Sequence, residues 1–417
     1  MSKEDDVELG GLEEPTGILT LRQALALALM KNPELAVFSW DVRVGEARTL
    51  QAGLLPNPKL ITVAEDFGGS GEKTGYDGAQ TTIFLAQVIR LAGKIPKRTK
   101  VASLKRDLAA WDYEAKRLDI LTQTAKAFVT VLAAQKRLAL TEDLVRLSEQ
   151  VFLTAQAKQK AGKVSRLEVK RAEIPLSTNK IAWQKAQRKL AAARKILAAT
   201  WGSTTPAFDR VEGELETIHK LPSLQQLTEL ISQNPDIARW SMEMELRRAN
   251  IELEKARAIP DLTVMPGFRR IEETDDNALV LRLAIPIPIF NRNQGGILEA
   301  HEQRFKAKES RRQAKLMVKT RLARIYQALS ASYIAATNLK TEVLPSAKWA
   351  YDAAQEGYSQ GKFGYLDVLG AQKTLFETRG QYIDELAAYH LARTEVERMI
   401  GQGIDQISEK QEKSTDD

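Results

Sequence analysis

Two stretches lying at the ends of long helical patterns read almost alike. Gly361-Lys362-Phe363-Gly364-Tyr365-Leu366-Asp367-Val368 repeats Gly162-Lys163-Val164-Ser165-Arg166-Leu167-Glu168-Val169 at an offset of about 200 residues. In each copy a glycine closes one helical pattern and a new pattern starts a few residues on, as at the turn of a helical hairpin. Further pairs fall near the same offset. Leu19-Thr20-Leu21-Arg22-Gln23-Ala24-Leu25 before Asn32-Pro33 matches Leu221-Pro222-Ser223-Leu224-Gln225-Gln226-Leu227 before Asn234-Pro235, and Pro56 matches Pro260. The chain therefore reads as an internal two-fold repeat, residues 18–217 and 218–401, each half with a hairpin tip bearing one carboxylate. Residues 1–17 read as a flexible leader, and residues 402–417 as a disordered tail without apolar periodicity.

Between these marks the helices are long. Residues 97–160 contain no proline, which allows a helix of roughly 95 Å. Its apolar positions step by three and four through Val101, Leu104, Leu108, Trp111, Ala115 and Leu118, a left-handed packing seam. Residues 294–357 repeat that rhythm, with a kink expected at Pro345. Returning helices over about 165–201 and 365–401 complete helical hairpins at about 97–201 and 294–401. Ahead of them, Thr20 is a fitting cap for a helix to Met30, and Asn32-Pro33 starts another through Gly53.

Each half also carries a strand hairpin, about 59–90 and 261–290. Residues 60–67 and 80–90 flank a glycine-rich loop, and residues 262–270 and 278–289 flank a polar turn. Leu279, Leu281, Leu283, Ile285, Ile287 and Ile289 form one aliphatic face. Strands of about ten residues with one apolar face match those of membrane barrels, and equally a half-buried sheet in a soluble domain. Two hairpins cannot close a barrel alone, and open edges are not tolerated in lipid, so a membrane reading requires several chains to pool strands.

Composition narrows the chemistry. The absence of cysteine excludes disulfides, thiolate metal sites and cysteine nucleophiles, and no lipid anchor on cysteine is expected for this sequence. The three histidines, His219, His301 and His390, lack metal-ligand spacing, and no nucleophile stands beside a base, so neither metal, cofactor nor enzyme is expected. Net charge is +7, yet bases and acids mix along helix faces, which argues against nucleic acid as a partner. Residues 1–15 lack the apolar stretch of a signal peptide, and no run is long enough for a membrane helix, which fits a cytosolic chain or a mature form with a new initiator.

The layout resembles the TolC-like outer-membrane factor family over residues 18–401, nearest its cobalt–zinc–cadmium branch. The local matches are Gln51-Ala52-Gly53-Leu54-Leu55-Pro56-Asn57-Pro58, the loop from Phe67-Gly68-Gly69-Ser70-Gly71 to Gly75-Tyr76-Asp77-Gly78-Ala79, and Ile285-Pro286-Ile287-Pro288-Ile289-Phe290-Asn291-Arg292-Asn293-Gln294-Gly295. The resemblance implies a mainly α fold with membrane β: a homotrimer whose helical hairpins form an α-barrel across the periplasm. Four strands per chain would join one shared 12-stranded barrel in outer-membrane lipid, with Leu279, Leu281, Leu283, Ile285 and Ile287 facing that lipid. It implies a passive, gated export duct for heavy-metal cations, partnered by a periplasmic adaptor (membrane fusion protein) and an inner-membrane RND pump. Adaptor docking would fall on Gly162, Lys163, Val164, Gly361, Lys362 and Phe363. Asp367 would line the narrowest ring, a cation-attracting feature, and Tyr358 would hydrogen-bond Glu168 to hold the gate closed. As a helix-start residue, Asp367 equally suits the positive end of the dipole. Gly370 and Phe363 stand where the family can have an aspartate and an arginine, which implies one acidic ring and fewer ionic locks. A drug or solvent duct of the same fold, and a soluble coiled-coil scaffold or adaptor, are the alternatives.

Overall fold

The computed structural model describes Glu14 and residues 16–405. Most of the expected leader and tail, residues 1–13, 15 and 406–417, lies outside the described residues. Where those two segments are described, the chain is docked. Glu14 accepts a hydrogen bond from the Ala207 amide at 2.9 Å, Ile404 is buried, and Asp405 pairs with Arg393.

In order, the elements are β1 (Gly17–Thr20), α1 (Leu21–Lys31), α2 (Pro33–Gly53), β2 (Lys59–Glu65), β3 (Gln80–Ile89), α3 (Lys94–Lys160) and α4 (Arg166–Ala199). Then follow β4 (Phe208–Glu212), α5 (Leu224–Leu230), α6 (Pro235–Arg257), β5 (Leu262–Ile271), β6 (Asp276–Ala284), α7 (Gln294–Asn338), α8 (Leu344–Ser359) and α9 (Tyr365–Ile400). A π-turn, Leu339–Val343, joins α7 to α8. It sits just ahead of Pro345, where a proline ring would meet the carbonyl four residues back, and the wider turn takes up that conflict. Among the described residues no helix is long and apolar enough to cross a membrane.

The helix starts follow from their caps. Thr20 accepts from the Gln23 amide while Gln23 reaches back to the Thr20 amide, and Ser223 and Gln226 make the same reciprocal pair. Asn32 caps α2 by accepting from the Leu35 amide at 2.9 Å, and its own amide group donates to the Thr200 carbonyl at 2.8 Å, where α4 ends. Asn234 does likewise for α6 and α9: it accepts from the Asp236 amide at 2.8 Å and donates to the Met399 carbonyl at 2.9 Å. Each asparagine thus ties the start of one helix to the end of another.

The chain forms two compact units, each drawn from both halves of the sequence. The first comprises Met1–Val37, Glu114–Ile237 and Lys315–Asp417. One of its cores gathers Leu19, Leu27, Phe128, Leu197 and Phe208, and another Leu227, Leu322, Leu329, Tyr389 and Val396. Here β1 and β4 pair in parallel, a two-stranded sheet that the sequence did not announce. Arg398, almost fully buried, binds Asp119 of α3 and Asp236 of α6 together.

The second unit comprises Phe38–Tyr113 and Ala238–Ala314. Val101, Leu104 and Leu108 of α3 pack against Leu246 and Leu253 of α6. Its four-stranded antiparallel sheet runs β2-β3-β5-β6, so the two strand hairpins lie side by side with β2 and β6 as free edges. The Lys94 ammonium bonds Asp261 at 2.5 Å, fixing the start of α3 to the chain entering β5. One face of the sheet is closed by its own side chains: Thr82, Phe84, Ala86 and Met265 are buried. The other face presents large apolar groups to the outside, with Leu60, Leu279, Leu281 and Leu283 at 72%, 91%, 67% and 61% exposure.

Two strand ends differ from expectation. β2 stops at Glu65 because Asp66 adopts a positive φ of 59°. β6 stops at Ala284, so Ile285 and Ile287, expected within the strand, lie beyond it. Pro286 and Pro288 have no amide hydrogen to offer a ladder, which ends the strand while leaving Ile285, Ile287 and Ile289 exposed.

Candidate functional site

Both hairpin tips are built by one device. Gly162 and Gly361 adopt φ of +69° and +73°, a conformation open to glycine at no steric cost. The amides of Lys163 and Lys362 bond the carbonyls five residues back, Lys158 and Gly357, at 2.9 and 2.8 Å, and each glycine amide bonds three residues back. These paired bonds satisfy the last carbonyls of α3 and α8 and reverse the chain. Lys163 and Lys362 are exposed, Val164 is half-buried, and Phe363 folds back so that its ring occupies the space a Cβ on Gly357 would need.

The two aligned carboxylates have different work. At the first tip Ser165 caps α4 by accepting from the Glu168 amide at 3.4 Å. At the second, Gly364 has no side chain to cap with, and the acid does so instead: Asp367 Oδ2 accepts from the Gly364 amide at 2.9 Å. Each tip holds one half of a capping box, serine at one and acid at the other. Asp367 is exposed at the start of α9, where the dipole favours its charge. Glu168 is half-buried and turns to a cleft of about 260 Å³ in the first unit.

That cleft brings together residues from both hairpins: Lys158, Val164, Glu168, Tyr351, Tyr358 and Tyr365. The Tyr358 hydroxyl meets Lys158 and not Glu168, contrary to the expected pairing. Lys158 Nζ donates to it at 3.1 Å and lies 4.7 Å from its ring centre. A lysine ammonium reaches further than the short glutamate arm and interacts with the ring and the hydroxyl together. Tyr358 and Tyr365 stack obliquely at 6.3 Å. Burial, with Tyr358 beside it, pushes the Tyr365 phenol up from its ordinary pKa, and burial does the same to Tyr351 with Asp352 adding to it. Tyr351 and Tyr358 stand seven residues apart on α8 and so share one face of it, while Tyr365 reaches the cleft from the start of α9 across the turn.

The remaining expected residues lie in the second unit. Leu279, Leu281 and Leu283 alternate along β6 on its exposed face, while Ile285 and Ile287 continue past its end. Long helical hairpins with narrow turned tips, joined in one chain to a four-stranded sheet that shows leucine outward and has both edges open, define a class of membrane-associated helical channel proteins. The model of the outer membrane efflux protein family matches residues 24–203 and 227–402, and the chain belongs to that family.

It is 34% identical over 388 residues to the cobalt-zinc-cadmium resistance protein CzcC of Cupriavidus metallidurans, covering 93% of this chain and 91% of the relative. It is 26% identical over 299 residues to the nickel-cobalt-cadmium resistance protein NccC of Alcaligenes xylosoxydans xylosoxydans, covering 72% and 66%. Among solved structures, CusC, a name carried by a cation efflux system protein of Escherichia coli, shares the fold with a TM-score of 0.78 at 18% identity, over 94% of this chain and 96% of that one.

Proposed function

We propose that three copies of this chain form the outer-membrane duct of a tripartite efflux system, and that the duct exports heavy-metal cations. The observation that carries the reading is the sheet. Its leucine face is covered by nothing among the described residues, and its edges β2 and β6 are unpaired. Lipid against the leucines and a neighbour's strand against each edge satisfy both at once. Three chains then give a closed 12-stranded barrel from four strands each. The recurrence of two helices, a strand hairpin and a helical hairpin supports an internal two-fold repeat over residues 18–217 and 218–401.

The tips are the periplasmic gate and the adaptor-docking surface. Three Asp367 carboxylates around an axis attract cations, and docking on Lys163, Val164, Lys362 and Phe363 draws the hairpins apart. The pump supplies energy and the duct a path. The metal cargo rests on similarity to CzcC and NccC, whose names state resistance to cobalt, cadmium, zinc and nickel.

Sedimentation with and without detergent tests the assembly. A particle of three chains that needs detergent is expected, and a monodisperse monomer in plain buffer would overturn the duct. Growth of duct-deleted cells in cobalt, zinc or cadmium, with and without this chain, tests the cargo.

A further inference from the structure

The closed face of the sheet carries its own charge pattern. The strand register places side chains of this face in rows running across the sheet. Glu65, Gln80, Ile271 and Asp276 share the row nearest the loops. Val63, Thr82, Arg269 and Ala278 share an inner row, and Ile61, Phe84, Gly267 and Val280 the next. Lys59 pairs with Ala86, and Met265 with Arg282, at the end of the sheet nearest the helices. Acids therefore gather at the loop end, and all three cations lie deeper, towards the helices.

The cations are held differently. Arg269 donates to Thr82 Oγ1 at 3.0 Å and to Gln80 at 3.3 Å, with Glu65 at 3.8 Å. Arg282 lies over the Phe84 ring, its guanidinium carbon 4.8 Å from the ring centre. Phe84 can lie flat there because position 267 is glycine, and a Cβ at that position would overlap the ring. The aromatic thus serves as a platform that presents the guanidinium while staying buried itself. Among the described residues no carboxylate comes within 4.0 Å of Lys59 or Arg282, and both residues are exposed.

We propose that Lys59 and Arg282 are selectivity-determining residues of the barrel, forming a belt of fixed positive charge at its helix-proximal end. The inference rests on the trimeric duct proposed above, in which this face lines the lumen. Three chains would then bring six such charges around one ring of wall. Fixed charge on a pore wall enriches counter-ions within about a Debye length, about 8 Å at physiological ionic strength. The belt has the opposite sign to the Asp367 tips. Cations released past the tips would meet a wall that attracts anions, and free divalent cations outside would be disfavoured from re-entry.

The test is the reversal potential of purified duct in planar bilayers under a tenfold KCl gradient. Lys59→Gln with Arg282→Gln should raise the potassium-to-chloride permeability ratio by about threefold or more. Arg282→Lys, which keeps the charge but not the planar stacking, should retain the wild-type ratio. Open channels of unaltered reversal potential in the double variant would overturn the belt alone. A wild-type protein that gives no channels at all would overturn the duct and the belt with it.

Discussion

Lys158 of the first helical hairpin donates to the hydroxyl of Tyr358 in the second at 3.1 Å, and its ammonium lies 4.7 Å from the centre of the same ring. The bond links the two hairpins of one chain just above their tips. Lys158→Met removes both the hydrogen bond and the ring contact at similar side-chain length. Loss of about 1 kcal/mol should raise the open probability of the duct about fivefold. Single-channel recording decides it; an unchanged closed state would remove Lys158 from the gate. Tyr358→Phe should give a smaller increase, because it keeps the ring.

Asp367 carries two roles that substitutions separate. Asp367→Asn retains an oxygen for the Gly364 amide and loses only the charge. Asp367→Ala loses both, and about 1 kcal/mol of helix-start stability. A charge ring at the gate predicts that both variants lower cation preference equally. If only the alanine variant does so, the carboxylate acts as a cap and nothing more.

Asn234 is fully buried and makes hydrogen bonds at the start of α6 and the end of α9. Asn234→Ala should cost about 2 to 3 kcal/mol, since it removes the side-chain partner of the Asp236 amide and of the Arg398 and Met399 carbonyls at a buried site. Asn32→Ala, at a less buried position, should cost about 1 to 2 kcal/mol. Denaturant unfolding in detergent, followed by helical circular dichroism, checks the order.

His390 donates from Nε2 to the Leu215 carbonyl at 2.9 Å and packs edge-on against Tyr389. Burial, reinforced by Arg393 and His219, holds its pKa below 6.5, against the pull of the Leu215 carbonyl and Asp405. The folded protein therefore binds this proton less readily than the unfolded chain. Stability from this site is complete above pH 6.5 and falls as pH drops below it. Melting curves at pH 7.5 and 5.5 should show the loss, and His390→Gln, which keeps a donor, should reduce it.

On β6, Leu281→Arg puts a charge on the leucine face and should cost about 2 to 4 kcal/mol of insertion if that site lies near mid-membrane. Ile287→Arg falls beyond the strand, and should cost about 1 kcal/mol or less. Folding into vesicles across a urea series compares them. Equal costs would mean that residues 285–289 enter the hydrocarbon as deeply as the strand.

Much of this architecture is legible in the chain. Glycines 162 and 361 mark the tips, Thr20 marks a helix start, and the alternation of Leu279, Leu281 and Leu283 gives the face of β6. The β1–β4 pair was not legible, because strands of four and five residues carry too little periodicity to stand out, and their pairing is set by distant packing. The end of β6 was in the sequence, in Pro286 and Pro288, but an unbroken aliphatic alternation outweighed it. At the tips, alignment of Glu168 with Asp367 concealed their difference. Whether an acid caps its own helix depends on whether residue 165 or 364 has a side chain that can do it first.

The π-turn at Leu339–Val343 has a consequence for how this chain can vary. In an α-helix each residue turns the chain by about 100°, and a π-turn holds one residue more than the regular spiral needs. Deleting one residue there would keep the phase as it is, whereas closing the turn to a regular α-helix at unchanged length would swing everything from Leu344 to the tip by roughly that angle. Tyr358 would then face away from Lys158, although neither residue had changed. The wide turn works as a phase setting between the body of the helix and its tip, and losing its wide winding would retune the tip without touching it.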